Sequence, residues 1–429
     1  MAKLWKKSGG KLNSVIEQYT VGEDYMLDLA LMPYDIKATK AHVKGLEKIG
    51  ILNKTELKQL LSRLSQLEKE FAAGKVKIKV QDEDCHTVIE NYLIRKYKKL
   101  GKKVHTGRSR NDQVLTAMRM YMKDMGGEVR KSCKKLAGTF LDFAAKHKNV
   151  PLPGYSHTQQ AMLSSVGHTF CSYLESLLDD LENWKYVCGH VDKSPLGSAA
   201  GFGVPLLLER EFVKKELGLK KLQINSLYCV SSRGKFESLY LEGLAQIMLS
   251  LGRFANDMLM FTSREFDFFK VKNNLVTGSS IMPQKKNHDA MEILRANVSK
   301  VMANQNFVKD IVKGLISGYH RDMQLLKKPV MESLAIVLES LEVVGVYLRG
   351  MEPKEAVIKS KVCSDIFTAD LATEMARDKG VPFRDAYKLA LKAMKKKEVD
   401  FEENLKSRVS LGAPGNLDIH YYRERLKKA

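Results

Sequence analysis

Residues 294–315 read LRANVSKVMANQNFVKDIVKGL, and the spacing of their apolar side chains decides the fold class. These side chains recur in alternating steps of four and three residues, as on the buried face of a helix packed against other helices. The positions on this face are Leu294, Val298, Val301, Gln305, Val308, Val312 and Leu315. The pattern predicts a helix through the whole stretch, with one polar residue in its buried face.

The flanking sequence extends the helical pattern. Residues 334–348, which follow Pro329, place leucine and valine at helical spacing, and residues 240–260 are apolar nearly all round. Such a helix is buried on most sides. Strand-like alternation is scarce. Long helices of this kind pack as bundles, and their apolar circumference favours neighbours from other subunits. The sequence therefore predicts an all-α protein with a central bundle of long helices.

Two breaks in the helical pattern suggest where domains meet. Gly101, Lys102 and Lys103 interrupt it before a polar run that begins at His105, and residues 350–353 interrupt it again. We therefore expect an N-terminal helical domain of residues 1–104 and a central long-helix domain of residues 105–351. A small, lysine-rich helical domain of residues 352–429 should follow.

Composition narrows the class of protein. The 429 residues are 44% hydrophobic, enough for a substantial core. The chain has no apolar run of about 18 residues, and no apolar stretch follows its basic start, so we expect no membrane partner and no signal peptide. The six cysteines lack CxxC spacing and the ten histidines lack ligand spacing. Both features favour a reducing, cytoplasmic location and predict no metal.

The net charge of +21 raises the question of a nucleic-acid partner. The lysines are dispersed along the chain, and no aromatic-basic or zinc-finger motif accompanies them. We therefore expect no nucleic-acid partner. A positive field of this size would instead draw in a polyanionic substrate.

Residues 278–287, GSSIMPQKKN, form a polar loop that carries two hydroxyls, two amides and two cations. Gly278 and Pro283 both disfavour helix at this point. A β-elimination removes a weakly acidic proton beside a carboxylate, so it needs a base and donors aimed at the developing charge. Serine is a poor base unless cations or backbone amides lower its pKa. A solvated loop could share this composition, but the order of the residues favours the chemical interpretation.

That order resembles the signature loop of the fumarase/aspartase superfamily, and the ending Gln284-Lys285-Lys286-Asn287 is similar to its argininosuccinate lyase family. The resemblance implies three helical domains, with the central one completing a multi-helix core in a homotetramer. It implies active sites that are each shared between three subunits. It also implies a reaction, the β-elimination of L-argininosuccinate to fumarate and L-arginine, that needs no cofactor.

The resemblance assigns roles within the loop. Ser279 would take the β-proton of the succinyl part of the substrate. Lys285 and Asn287 would stabilise the resulting carboxylate-centred anion, and Gln284 would contact substrate.

A second matching segment is His105-Thr106-Gly107-Arg108-Ser109-Arg110-Asn111-Asp112-Gln113-Val114. Ser and Asn both cap helices, so the segment is also what a capped helix start looks like. It is similar, residue for residue, to a family stretch in which Ser109, Arg110 and Asn111 would contact substrate. An arginine fork and helix N-terminal amides suit a carboxylate.

Residues 154–159, GYSHTQ, resemble a Gly-Tyr-Thr-His-x-Gln family motif. A single histidine is more often structural than catalytic, but the motif would make His157 the general acid. Ser156 would replace a threonine that contacts substrate. Glu292 matches the glutamate that pairs with the catalytic histidine, and such a carboxylate orients the ring and raises its pKa. Which of Ser279 and His157 moves which proton stays open.

Residues 319–327, YHRDMQLLK, look like a family stretch that holds the substrate away from the cleaved bond. Tyr319, Gln324 and Lys327 match at the right spacing. Residues 82–86, DEDCH, resemble another stretch near the site, but acidic clusters are commonly solvated, so no role is predicted for them.

The chain also departs from the family pattern. His288 stands where Pro is usual, Ser232-Arg233-Gly234 replaces Asp-Arg-Asp, and residues 19–24 lack the usual Asn-Ala-Ser. These departures put the N-terminal substrate contact in doubt. The alternatives are another fumarate-releasing lyase of the superfamily, such as adenylosuccinate lyase or fumarase, and a crystallin-like structural protein on the same scaffold.

Overall fold

The computed structural model describes residues 13–393 and 399–429 and is helical almost throughout. In chain order the helices are α1 Ser14–Val21, α2 Asp24–Lys48, α3 Lys54–Ala72, α4 Cys85–Tyr97, α5 Lys99–Lys103, α6 Arg110–Lys146, α7 Val166–Val191, α8 Arg210–Leu217, α9 Ser226–Ser231, α10 Lys235–Phe261, α11 Asp289–Val312, α12 Lys327–Arg349, α13 Glu355–Ser360, α14 Thr368–Lys379, α15 Phe383–Ala393, α16 Phe401–Ser407 and α17 Ile419–Lys428. The all-α prediction is confirmed.

In the part of the chain that the structure describes, six short strands accompany the helices: β1 Pro151–Ser156, β2 Gln159–Ser165, β3 Lys193–Ser194, β4 Lys221–Leu222, β5 Phe269–Val271 and β6 Met351–Pro353. They form three two-stranded pairs, β1 with β2 and β5 with β6 antiparallel, and β3 with β4 parallel. Within the described ranges, no helix is both long and apolar enough to cross a bilayer.

The chain divides into two compact units. The first unit comprises residues 1–128, 185–243 and 302–334, and the second comprises residues 129–184, 244–301 and 335–429. Every dividing point falls within a long helix (α6, α7, α10, α11 or α12).

In the first unit, small and branched side chains pack α2 against α8. Ala38, Ala41, Val213 and Leu217 are buried there together with Met120 of α6. The buried face of α11 contributes Gln305, which is 6% exposed. Its side-chain amide donates to Glu242 of α10, so the one polar residue predicted on this face has a partner.

In the second unit, aromatic rings fill the space between helices. Phe140, Phe170, Tyr173 and Phe254 lie edge to face or tilted, with ring centroids 5.4–6.4 Å apart. Such pairs contribute beyond their area, about 0.5–1.5 kcal/mol each. The rings therefore fix α6, α7 and α10 within this unit.

Two details differ from the expectations, and a third agrees with them. Helix α11 ends at Val312, so Leu315 lies beyond it. The break predicted at residues 101–103 falls inside α5, and the interruption comes at Lys98, whose φ is 45°. Gly101 packs too closely on the backbone of α4 for any side chain, so tertiary contact explains a glycine within a helix. The break at residues 350–353 is confirmed as strand β6.

Candidate functional site

Residues 278–287, here called the serine loop, leave the helical framework between β5 and α11. The ends of the loop are closed by a bridge in which Thr277 and Asn287 exchange backbone hydrogen bonds of 3.0 and 2.8 Å. The Asn287 side chain also donates to the Gly278 carbonyl at 3.2 Å. Between these ends, Gln284 and Lys285 are exposed. The predicted loop is confirmed, with the side chains of Gln284 and Lys285 turned to solvent in a single chain.

The Ser279 hydroxyl is the centre of a tight turn. Its oxygen accepts hydrogen bonds from the backbone amides of Ile281 at 3.3 Å and Met282 at 3.1 Å. Two amides aimed at one oxygen favour its negatively charged form over the neutral hydroxyl. Ser280 follows it in the turn and is exposed, whereas Ser279 is half-buried. The local geometry therefore distinguishes the two serines and favours Ser279 as the activated one.

His157 sits at the tip of an antiparallel hairpin formed by β1 and β2, here called the histidine hairpin. Ser156 pairs with Gln159, so His157 and Thr158 alone form the turn, with φ of 52° and 60°. Positive φ at both positions matches the twist of a tight hairpin. Ser156 and His157 are exposed, and the turn projects them away from the strands.

Gln160 anchors the histidine hairpin to the C-terminal part of the second unit. Its amide donates to the Lys361 carbonyl at 2.7 Å and accepts from the Cys363 amide at 2.9 Å. Leu163 of β2 packs against Phe367 and Leu405. These contacts fix strand β2 from Gln160 onward, whereas the turn at His157 and Thr158 is exposed.

Glu292 lies in the first turn of α11 and is exposed. Across residues 13–393 and 399–429 of one chain, no hydrogen bond or ion pair joins Glu292 to His157, nor His157 to Ser279 or Lys285. The pairing of Glu292 with His157 therefore stays a prediction.

Ser109, Arg110 and Asn111 begin α6 in the first unit. The carboxylate of Asp112 accepts from the Ser109 amide at 2.9 Å, and the Ser109 hydroxyl accepts from the Asn111 amide at 3.3 Å. The same carboxylate also accepts from two further backbone amides, of Gly197 and Ala199. Burial raises the pKa of Asp112 to about 6, although these amides oppose the shift. The segment is a capped helix start that also presents side chains, so both interpretations of its sequence hold.

A single pocket in the first unit, here called the charged pocket, gathers several predicted substrate contacts. Its lining includes Asp24, Glu83, Asp84, His86, Arg110, Asn111, Arg233, Tyr319, Arg321, Gln324 and Lys327. Arg110, Asn111, Tyr319, Gln324 and Lys327 were expected from the sequence. Ser109 lies next to them in the chain, at the start of α6.

Lys327 is the most buried cation of the charged pocket. Its ammonium lies 3.0 Å from Asp24 and 2.7 Å from Asp28, and its side chain is 4% exposed. Burial alone would lower the pKa of Lys327, but the two carboxylates outweigh burial and raise it. Burial raises the pKa of Asp24 to about 6, against the pull of Lys327. Lys327 is therefore a buried, charged member of an ion-pair triad.

Glu83, Asp84 and His86 of the 82–86 stretch also line this pocket, although no role was predicted for them from the sequence. Arg110 contacts Glu83 at 3.2 Å and Asp84 at 3.4 Å. His86 contacts Asp35 through Nδ1 at 2.7 Å, while its buried Nε2 has no hydrogen-bond partner in the part of the chain that the structure describes. The resemblance of residues 82–86 to a family stretch was the signal that could have found them.

Two other pocket residues form hydrogen bonds with the C-terminal end of α1. Gln324 donates to the carbonyls of Thr20 and Val21, both at 3.0 Å, and Arg321 donates to Thr20 at 2.7 Å and to Glu83 at 2.9 Å. Gln324, which was expected to contact substrate, thus has two backbone partners in this chain.

Asp28, Cys85 and His86 form the one group with metal-ligand types and spacing among the described residues. The carboxylate of Asp28 already binds the ammonium of Lys327 and the Cys85 amide at 3.1 Å. The chemistry at this point is therefore that of an ion pair.

The sequence of this chain is similar to a family model and to known enzymes. A family model described as lyase matches residues 13–303. The argininosuccinate lyase of Thermotoga neapolitana is 40% identical over 387 residues, which cover 90% of this chain and 97% of the relative. The argininosuccinate lyase of Sorangium cellulosum is 40% identical over 427 residues, covering 99% of each chain.

Solved structures share the fold at lower identity. EDDS lyase in complex with formate superposes with a TM-score of 0.81 at 21% identity, covering 98% of this chain and 91% of that one. A class II fumarase from Schistosoma mansoni superposes with a TM-score of 0.74 at 17% identity, covering 99% and 95%. At these identities the likeness shows a shared fold and nothing further.

Proposed function

The chain belongs to the argininosuccinate lyase family, and we propose that the residues described above carry out its reaction, the β-elimination of L-argininosuccinate to fumarate and L-arginine. The observation that carries the mechanism is the pair of backbone amides on the Ser279 oxygen. They stabilise an alkoxide, which is the form that Ser279 needs as the base.

The serine loop supplies the remaining charge stabilisation. As Ser279 removes the β-proton, negative charge moves onto the neighbouring carboxylate of the succinyl part. Lys285 donates a cationic N–H and Asn287 an amide N–H to that charge, which is the largest kind of contribution in such reactions. Gln284 contacts the same end of the substrate. The exposure of Lys285 and Gln284 in one chain suits a loop that closes on substrate.

His157 completes the reaction as the general acid toward the departing guanidinium nitrogen. Its open position at the hairpin tip lets it reach a substrate, and Ser156 contacts the substrate beside it. Glu292, from another copy of the chain, orients the ring and raises its pKa. A histidine so paired can donate its proton at neutral pH.

The charged pocket recognises the rest of the substrate. Ser109, Arg110 and Asn111 serve the carboxylates of the succinyl end. Tyr319, Gln324 and Lys327 hold the arginine end, away from the cleaved bond. Binding there requires Gln324 to exchange its backbone partners Thr20 and Val21 for substrate. An arginine in a fixed pair with Glu83 and Asp84 is well positioned for a planar carboxylate.

The active protein is a homotetramer in which each site draws the serine loop, the histidine hairpin and the Ser109 segment from three copies. Long helices with exposed apolar side chains support this assembly: Leu249 of α10, Ile293, Met302 and Phe307 of α11, and Val343 of α12. Helix faces of this kind are buried against further helices in a bundle. We also propose three helical domains, of residues 1–104, 105–351 and 352–429, and a cytoplasmic location, which suits six free thiols.

Release of fumarate, followed by its ultraviolet absorbance, tests the reaction and its substrate together. Argininosuccinate, adenylosuccinate, malate and aspartate should be compared side by side at equal concentration. Turnover of argininosuccinate above the others is the expected result. Preference for another substrate would assign the chain another superfamily reaction, and turnover of none would favour a structural, crystallin-like role.

A further inference from the structure

His288 links the end of the serine loop to the buried part of the second unit. It precedes α11, and its carbonyl accepts the amides of Met291 at 2.9 Å and Glu292 at 3.3 Å. Its Nδ1 lies 2.8 Å from the hydroxyl of Tyr347 on α12. Tyr347 is 2% exposed and packs edge to face on Phe254 of α10. The imidazole therefore joins a polar loop to a fixed point in the core.

Other contacts at the loop base involve exposed or half-buried partners. The Thr277–Asn287 bridge joins the loop ends to each other, and Lys286 donates to the exposed Asn273 at 2.9 Å. Neither contact reaches a buried helix. The His288–Tyr347 bond does, and it lies one residue from Asn287 and three from Lys285. Loss of this hydrogen bond should therefore shift Asn287 and Lys285, the two proposed stabilising groups, because only a few backbone bonds separate them from His288.

The protonation states favour this bond. Burial lowers the pKa of His288, an effect that Lys286 of the loop reinforces and that Asp289 and Glu292 of α11 oppose. Burial also raises the pKa of Tyr347 on α12. At neutral pH a neutral imidazole therefore accepts, at Nδ1, a hydrogen bond that the Tyr347 hydroxyl donates. A proline, which is usual at this position in the family, has no side-chain acceptor and cannot make this bond.

We propose that His288 is a positioning residue that, through Tyr347, sets the placement of Lys285 and Asn287 in the transition state. The inference rests on the proposed function. A misplacement of about 1 Å in groups that bind only the transition state lowers kcat more than it raises KM. His288 itself touches no reacting atom.

The test is a double-mutant cycle of His288→Ala and Tyr347→Phe on the full-length oligomer, with His288→Asn as the conservative variant. Each single variant loses the His288–Tyr347 hydrogen bond and should lower kcat about 3- to 10-fold at nearly constant KM. The double variant should be no slower than the slower single variant, because both remove the same link. His288→Asn keeps an acceptor near the Nδ1 position and should recover most of the rate. Tyr387→Phe, at an exposed tyrosine of α15, is the matched control.

Hydrogen exchange of the peptide that covers residues 278–287 gives a readout independent of turnover. His288→Ala and Tyr347→Phe should raise its exchange equally, and His288→Asn should restore it. Rate losses that multiply in the double variant, no recovery in His288→Asn, or unchanged exchange would each overturn the inference. If the wild-type protein released no fumarate, the proposed function would fail, whereas the exchange result would still decide whether His288 holds the loop.

Discussion

The charged pocket of the first unit and the serine loop of the second unit hold their polar groups in opposite ways. In the pocket, Lys327 is buried between Asp24 and Asp28, and Arg110 lies between Glu83 and Asp84. In the loop, Lys285 and Gln284 are exposed and Ser279 is held only by backbone amides. The charged groups of the pocket are already paired in the folded chain, whereas the side chains of Gln284 and Lys285 in the loop are exposed.

This difference separates stability from catalysis. Buried charges that lose a partner are strongly destabilising, so pocket substitutions should affect folding as well as binding. Exposed loop groups contribute little to folding, so loop substitutions should affect the rate alone. Variants in the charged pocket and in the serine loop can therefore test this difference.

The largest effect is expected for Ser279→Ala. Loss of the base should reduce turnover of argininosuccinate by several orders of magnitude and leave thermal unfolding of the oligomer nearly unchanged. Steady-state kinetics and a thermal melt are the measurements. Ser280→Ala, at the exposed neighbouring hydroxyl, is the control and should be much milder. More than a tenth of the wild-type rate in Ser279→Ala would show that another group is the base.

Lys327→Met should affect both properties. Removing the ammonium leaves two buried carboxylates unpaired, which should lower the free energy of unfolding by about 3–5 kcal/mol. Loss of a charge-assisted bond to substrate should lower kcat/KM about ten- to a hundred-fold. Urea unfolding and steady-state kinetics measure the two effects. Lys328→Met is the matched control, since Lys328 is exposed and pairs with the exposed Glu23. Equal stability of the two variants would contradict the buried triad.

The pH dependence of stability should reveal Asp24. Its folded pKa of about 6 exceeds the ordinary 3.8, because burial disfavours the carboxylate. The folded state thus binds more protons between these values, and stability falls as pH rises through the window. From the two pKa values, the loss is about 3 kcal/mol. Asp24→Asn should remove this part of the slope in urea unfolding at stepped pH. Asp112, whose pKa is also raised to about 6, keeps its own contribution in that variant. A slope unchanged in Asp24→Asn would contradict this account of the triad.

The smallest effect is expected for an ion pair of the second unit that resembles the triad only in composition. Arg425 of α17 contacts Asp179 and Glu182, whose side chains are 69% and 65% exposed. Solvent screens such pairs, so Arg425→Ala should change the free energy of unfolding by less than about 1 kcal/mol. A loss as large as that of Lys327→Met would mean that burial does not separate the two regions.

Much of the framework could be predicted from the sequence because it depends on local periodicity. The four-three spacing from Leu294 to Val312 predicted α11, and Gly278 with Pro283 predicted the serine loop. Arg110, Asn111, Tyr319, Gln324 and Lys327 were grouped by resemblance, and the structure gathers them in one pocket.

Other features depend on contacts that a local pattern does not encode. The turn at His157 and Thr158 needs positive φ but has neither Gly nor Asn, so no turn signal marked the histidine hairpin. Asp24 and Asp28 look like ordinary acidic residues of a surface helix until Lys327, about 300 positions later, makes them ion-pair partners. Burial and long-range charge decided these cases.

The most direct test of the account is subunit complementation between Ser279→Ala and His157→Asn, each inactive alone. The two proteins are mixed, dissociated and reassociated, and fumarate release from argininosuccinate is measured with subunit exchange verified by mass spectrometry. If different copies supply the serine loop and the histidine hairpin to each site, random hybrids should regain about a quarter of the wild-type rate. No recovery despite proven exchange would show that each site is built within one chain.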